Sequence, residues 1–289
     1  MPAVETNSVE KEVSEKDVVS ITHAARRYQA FPGSKYALPS DEQEGDLVNV
    51  RRLLLQHKTL RKIFGGNIIF APVLDVGTGS GTWILDLATS VDTSVSMVGN
   101  FNFRVGSVLH LPADWSNTFS LVHQRLLILA LQAHEWTIAR QEVYRVLRPG
   151  GWIQIDESTP WYEAKYPGKP CMEKLAALFN CVARACNLYI NCTDNMSTML
   201  AQAGFVDIQT KSGIQEMGKW AGDVGVANRV NHIGVLGGIK TPVLQAGGFG
   251  YVSSEAEYDA LLEGLEKEWD EIPGTEKELI IFWARKPKV

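Results

Sequence analysis

The stretch Ile68-Ile69-Phe70-Ala71-Pro72-Val73-Leu74-Asp75-Val76-Gly77-Thr78-Gly79-Ser80-Gly81-Thr82-Trp83 decides the fold. Its apolar run ends at Val76 and reads as a short buried strand. Alternate glycines follow, then Trp83, Ile84, Leu87 and Ala88 at the spacing of a helix's buried face. Strand, glycine turn and helix form the opening unit of a nucleotide-binding α/β sheet. Glycines there present backbone N–H groups and let a ligand approach closely. A nicotinamide-binding loop would normally read GxGxxG, whereas this one reads GxGxG.

Outward from this unit, strands are expected at Val95–Val98, Phe101–Val105, Phe119–Val122, Trp152–Ile155, Phe205–Gln209 and Leu279–Ala284. Helices alternate with them. Trp136, Ala139, Val143, Val146 and Leu147 make one stripe, stopped by Arg148-Pro149-Gly150-Gly151. Cys171 to Tyr189 carries a second stripe. A third starts at Ser254, which has capping-box spacing to Glu257. Alternation of this kind predicts an α/β doubly wound, mostly parallel sheet. Residues 1–20 read as a disordered tail, 21–66 as an N-terminal helical lid, and 67–289 as the main domain. An insert at about 215–275, before the last strand, reads as a helical substrate cover. Its glycine-rich part, Gly213 to Ser253, suits a mobile segment.

Composition narrows the function. With 28 basic and 33 acidic residues the net charge is −5, which argues against a protein that grips phosphate backbones; no nucleic-acid partner is expected. The longest nearly unbroken apolar run, Leu126 to Ala133, is far short of the ~20 residues of a spanning helix. With no signal-like N-terminus, a soluble cytoplasmic protein without a membrane partner is expected. Cys171, Cys181, Cys186 and Cys192 form no CxxC pair and have no nearby histidine, so reduced thiols rather than a metal site are expected.

Several motifs occur in one order. Leu74-Asp75-Val76-Gly77-Thr78-Gly79-Ser80-Gly81-Thr82-Trp83 resembles motif I of the class I S-adenosylmethionine-dependent methyltransferases. Leu147-Arg148-Pro149-Gly150-Gly151-Trp152 is similar to the family's turn before its fifth strand. Phe119-Ser120-Leu121-Val122-His123-Gln124-Arg125 resembles its fourth-strand motif, with Ser120 at the usual Asp, and Ala203-Gly204-Phe205-Val206-Asp207 its entry to the sixth strand. Tyr36-Ala37-Leu38-Pro39-Ser40-Asp41, Glu44 and Gln56-His57 resemble a segment of the fungal methyltransferases related to the velvet-complex regulator of secondary metabolism.

The resemblance implies a Rossmann-like methyltransferase fold, S-adenosyl-L-methionine as cofactor and methyl transfer to a small molecule, a specialised metabolite. The alternative it allows is a non-catalytic regulatory relative that binds a protein partner and works in the nucleus. It implies a methionine site at Gly77, Thr78, Gly79 and Gly81 with Asp75 near the ammonium, and adenine near Ser107 and Val108. His123, Gln124 and Arg125 would face the pocket, and Tyr36 would belong to the lid. For acceptors that must lose a proton, Asp156, Glu157, His134, Glu135 and His232 are candidates, with Glu157 and His232 preferred as bases. Trp161, Tyr162 and Trp220 could wall a flat substrate.

One departure stands out. The family follows its second strand with a ribose-binding acid and a crossover helix. Here Val98-Gly99 is followed only by Asn100 before Phe101. Parallel neighbours need about a dozen residues to cross over. The crossover and its acid are therefore expected to be missing, with Asn100 the nearest substitute.

Overall fold

The computed structural model describes residues 102–288 continuously and, before them, residues 20–23, 26–29, 55–56, 58, 72–79 and 83–84. Tyr36, Gly81, Asn100, residues 1–19 and the strand expected at Val95–Val98 lie outside the described residues.

Two strands, β1 (Ser20–His23) and β2 (Arg26–Gln29), pair antiparallel as a hairpin. That corrects the helical reading of these residues. The run Ile21-Thr22-His23 and Tyr28 favour β geometry through β-branched and aromatic side chains. Helical residues within 21–66, among those described, are 55, 56 and 58.

The main sheet contains β3 (Val73–Val76), β4 (Phe119–Arg125), β5 (Leu147–Ser158), β6 (Val206–Glu216) and β7 (Glu276–Arg285), in spatial order β3-β4-β5-β7-β6. The β3–β4 and β4–β5 pairs are parallel; β7 runs antiparallel to both β5 and β6. The α/β class and the helical insert are as expected from sequence. Residues 102–106 form no strand, contrary to the alternation of apolar residues there. Phe103 and Val105 are 63% and 83% exposed, so alternation was not matched by a face to bury them.

The helices are α1 (Glu135–Val146), α2 (Pro170–Ala185), α3 (Cys192–Gln202), α4 (Gly222–Gly238), α5 (Lys240–Gln245) and α6 (Glu255–Glu271). Trp136, Ala139, Val143 and Val146 of α1 are buried in one core with Val122, Ile153 and Ile155 of the sheet. Each such side chain contributes roughly 1.5–3 kcal/mol through burial. The cap of α6 is as the spacing predicts: Ser254 Oγ accepts from the Glu257 amide at 3.2 Å.

The glycine-rich insert is helical in part, with α4 running through five of its glycines. Gly225 shows why one of them is needed. A Cβ there would lie 2.3 Å from the Gly218 carbonyl oxygen, and the Gly225 carbonyl accepts from the Gly218 amide at 3.0 Å. Close backbone approach fixes the start of the helix on the preceding turn.

Candidate functional site

Ligands of open α/β sheets bind at the carboxyl ends of the strands. At the end of β3 the chain turns through Gly77 and Gly79, whose φ values are +71° and +56°. A Cβ on Gly77 would lie 2.8 Å from Leu127 Cδ2, which would have to shift, and at φ +71° a side chain would be strained whatever the space.

Successive strand residues face opposite sides, so His123, Gln124 and Arg125 cannot all face one pocket. His123 and Arg125 share a face with Asp75 and Asp156; Gln124 points the other way. The His123 ring lies between two carboxylates, with Nδ1 2.7 Å from Asp75 Oδ1 and Nε2 3.4 Å from Asp156 Oδ2. Trp83 stacks on it with ring centroids 3.7 Å apart and the planes parallel to within 2°. Burial alone would lower the imidazole pKa. The hydrogen bonds and charges of Asp156 and Asp75 outweigh it and raise the pKa above 6.5. Burial likewise pulls the Arg125 guanidinium down, opposed by Asp156 and Asp75. Asp75 also accepts from the Thr78 hydroxyl at 2.8 Å, so both of its oxygens brace the turn and the histidine. Ser107 Oγ accepts from the Leu109 amide at 3.2 Å, which commits it to a local turn, and Val108 is buried in the core.

On the opposite face Gln124 accepts from Arg140, a fully buried residue of α1. Glu157 lies there too. Its Oε1 accepts from the Leu127 amide at 2.8 Å. Burial pushes its pKa up to about 8, while the Leu127 amide and Arg140 pull it back. The structure therefore places Glu157 in the interior, where it positions the chain leaving β4.

The other half of the carboxyl edge, at β5, β7 and β6, holds His232. Asn228 Nδ2 donates to the Glu216 carbonyl at 2.8 Å, Gln215 Nε2 donates to Asn228 Oδ1 at 2.9 Å, and Gln215 Oε1 lies 2.9 Å from His232 Nε2. A carbonyl only accepts, so the relay has one direction, and His232 Nε2–H must donate to Gln215. Nδ1 is then the basic nitrogen of the neutral ring. Trp161 and Trp269 pack edge-on to this ring at 5.5 and 6.5 Å. Lys277 Nζ sits 3.7 Å from the centre of the Trp161 ring, and burial lowers its pKa to about 7.

The sequence reading did not single out Arg140, Gln215, Asn228 or Lys277. Lys277 carried a signal: extending the inward alternation of Ile281 and Leu279 by two residues lands on it.

A methyltransferase-domain family model matches residues 74–155, which span β3, β4 and most of β5. The N-methyltransferase sirN of Leptosphaeria maculans is 26% identical over 290 residues, 89% of this chain and 96% of that protein. The N-methyltransferase gliN of Aspergillus fumigatus is 32% identical over 174 residues, 47% of this chain and 60% of that one. Residues 74–155 are thus a methyltransferase domain. The chain is also 25% identical to the secondary metabolism regulator laeA of Aspergillus flavus, over 51% of this chain and 43% of that protein. Among solved structures, phosphoethanolamine N-methyltransferase 2 of Haemonchus contortus, in complex with S-adenosyl-L-methionine, aligns with a TM-score of 0.41 and 17% identity, covering 82% of this chain and 52% of that chain.

S-adenosylmethionine is the cofactor, and the glycine turn fits it through the backbone: Gly77 and Gly79 at the end of β3 are left-handed, a conformation that favours glycine. Among the described residues no group of three His, Cys, Asp or Glu could hold a metal, and no helix is long and apolar enough to cross a membrane. The four cysteines are free thiols.

Proposed function

We propose that the methyltransferase methylates a nitrogen of a small-molecule specialised metabolite. The names of sirN and gliN support nitrogen as the acceptor atom. The observation that carries the reading is the relay from the Glu216 carbonyl to His232, which makes Nδ1 a base of fixed orientation at the carboxyl edge. An amine acceptor must give up its proton to expose a lone pair, and an imidazole is a side chain that can receive it.

The cofactor supplies an electrophilic methyl on a sulfonium, with a good leaving group already built in. The protein's remaining work is alignment and exclusion of water. Gly77 and Gly79 hold the donor end, braced by Asp75, Thr78 and His123. In this reading the insert at about 215–275 supplies the acceptor's walls and residues 21–66 the lid.

The test is incubation with isotopically methyl-labelled S-adenosylmethionine and a panel of secondary or primary amine metabolites, read by mass spectrometry. Label on nitrogen that falls at least tenfold in His232→Ala supports the reading. Label on oxygen or carbon only, full activity in His232→Ala, or no transfer to any member of the panel overturns it.

A further inference from the structure

Beside His232 the carboxyl edge gathers hydrogen-bond donors that have no acceptors. Lys277 is only 7% exposed, and no hydrogen bond or ion pair within the described structure engages Nζ, which rests on the Trp161 ring. The indole N–H groups of Trp161 and Trp269, both buried, are also unpartnered. Neighbouring polar groups do not compensate. Gln215, opposite Lys277 in the sheet, has its amide committed to Asn228 and His232. Glu276 and Glu278 flank Lys277 in sequence, and the period of the strand turns them to the other face. Lys169, the next buried amine, donates to the Pro273 carbonyl and Thr275 Oγ1.

Buried polar groups in folded proteins are almost always paired, and a buried charge without a partner is costly. A set made only of donors, on flat aromatic walls, is completed by a ligand that supplies acceptors. Toward solvent the cluster is bordered by His232, which is half-buried.

We propose that Lys277, with the Trp161 indole N–H, binds an oxyanion carried by a flat small molecule, a carboxylate or phenolate held beside His232. Calling that molecule the methyl acceptor rests on the proposed function; the anion site itself does not. The site would hold the oxyanion and leave another atom of the same molecule near Nδ1, which makes Lys277 a specificity residue of the acceptor pocket.

The experiment uses the full chain without cofactor, with benzoate as probe and benzamide as its neutral isostere, read by tryptophan fluorescence and calorimetry. Saturable benzoate binding is expected, at least tenfold tighter than benzamide, reduced at least tenfold in Lys277→Met and largely kept in Lys277→Arg. Circular dichroism confirms that each variant folds. Benzoate affinity unchanged in a folded Lys277→Met, equal affinity for benzamide, or no saturable benzoate binding overturns the proposal. Binding that is lost as expected, in a protein that methylates no amine, overturns the proposed function and leaves the anion site standing.

Discussion

Replacing Lys277 by methionine should stabilise the protein. The change keeps an unbranched apolar stem over Trp161 and removes the ammonium. Burial lowers the Lys277 pKa from 10.5 to about 7, with no carboxylate offsetting it. At ~1.36 kcal/mol per pH unit that fall corresponds to roughly 4–5 kcal/mol held against the charged form. The lost ring contact takes back about 1 kcal/mol. A net gain of about 3 kcal/mol at neutral pH is therefore expected, which for a chain of this size is a rise of roughly 6–12 °C in Tm. The pH dependence has a definite sign. Below pH 7 the folded protein carries the full cost of the buried ammonium. From about pH 7 to about pH 10.4 the unfolded chain keeps a proton that the folded protein has released, so the parent gains up to ~1.36 kcal/mol per pH unit. The advantage of the methionine variant should shrink across that window. Urea unfolding of both proteins from about pH 6.5 to about pH 9.5 measures it. A variant less stable than its parent, or a constant advantage over that range, would mean the charge is compensated and refute the reasoning.

Other outcomes follow from the same geometry. Gly79→Val, at φ +56°, should abolish S-adenosylmethionine binding by calorimetry while leaving the far side of the sheet folded. His123 should titrate above 6.5 by NMR; because its folded pKa is raised, its stabilising contribution is complete below about pH 6.5 and lost as pH rises through the higher folded value. Arg140→Met should raise the Glu157 pKa further, read from the pH dependence of urea unfolding, because the guanidinium is one of the groups that pull it down.

How far the sequence carried the reading depends on whether information was local. The turn after Val76, the strand at Phe119 and the cap at Ser254 are local patterns, and the structure has each of them. The His123–Asp75–Asp156 bracket joins residues 48 and 33 positions apart, and only the β3-β4-β5 register brings them together. Period two did determine that His123 and Arg125 part from Gln124, a distinction that reading the three as one motif obscured. Glu157 shows a harder limit. Asp156 and Glu157 are adjacent acids at the end of one strand, and the face each takes decides that one meets the histidine while the other holds a backbone amide in the core. Glycine count alone did not reveal α4, in which Gly225 serves close packing.

The short connection at Gly99-Asn100 leads to the last expectation. Among the described residues β3 is the outer strand of the sheet, and residues 102–106 run without strand pairing, with Phe103 and Val105 exposed. A ribose-binding acid on two hydroxyls makes charge-assisted hydrogen bonds worth ~1.5–3 kcal/mol each in favourable cases. At the adenine position that the resemblance implies, Ser107, which accepts from the Leu109 amide, would be a weak substitute for an acid. Together these losses imply binding of S-adenosylmethionine roughly a hundredfold weaker than a complete site would give, or more. Exposed apolar residues such as Phe103 and Val105 also favour association between chains. Inserting about fifteen residues of a crossover, with an acid, after Gly99 should tighten calorimetric affinity and raise the fraction that elutes as monomer. If the chain already binds in the low micromolar range and the insertion improves neither property, the short connection is harmless. The donor site would then need no acid on the ribose, because the glycine turn and its bracing by Asp75, Thr78 and His123 would be enough.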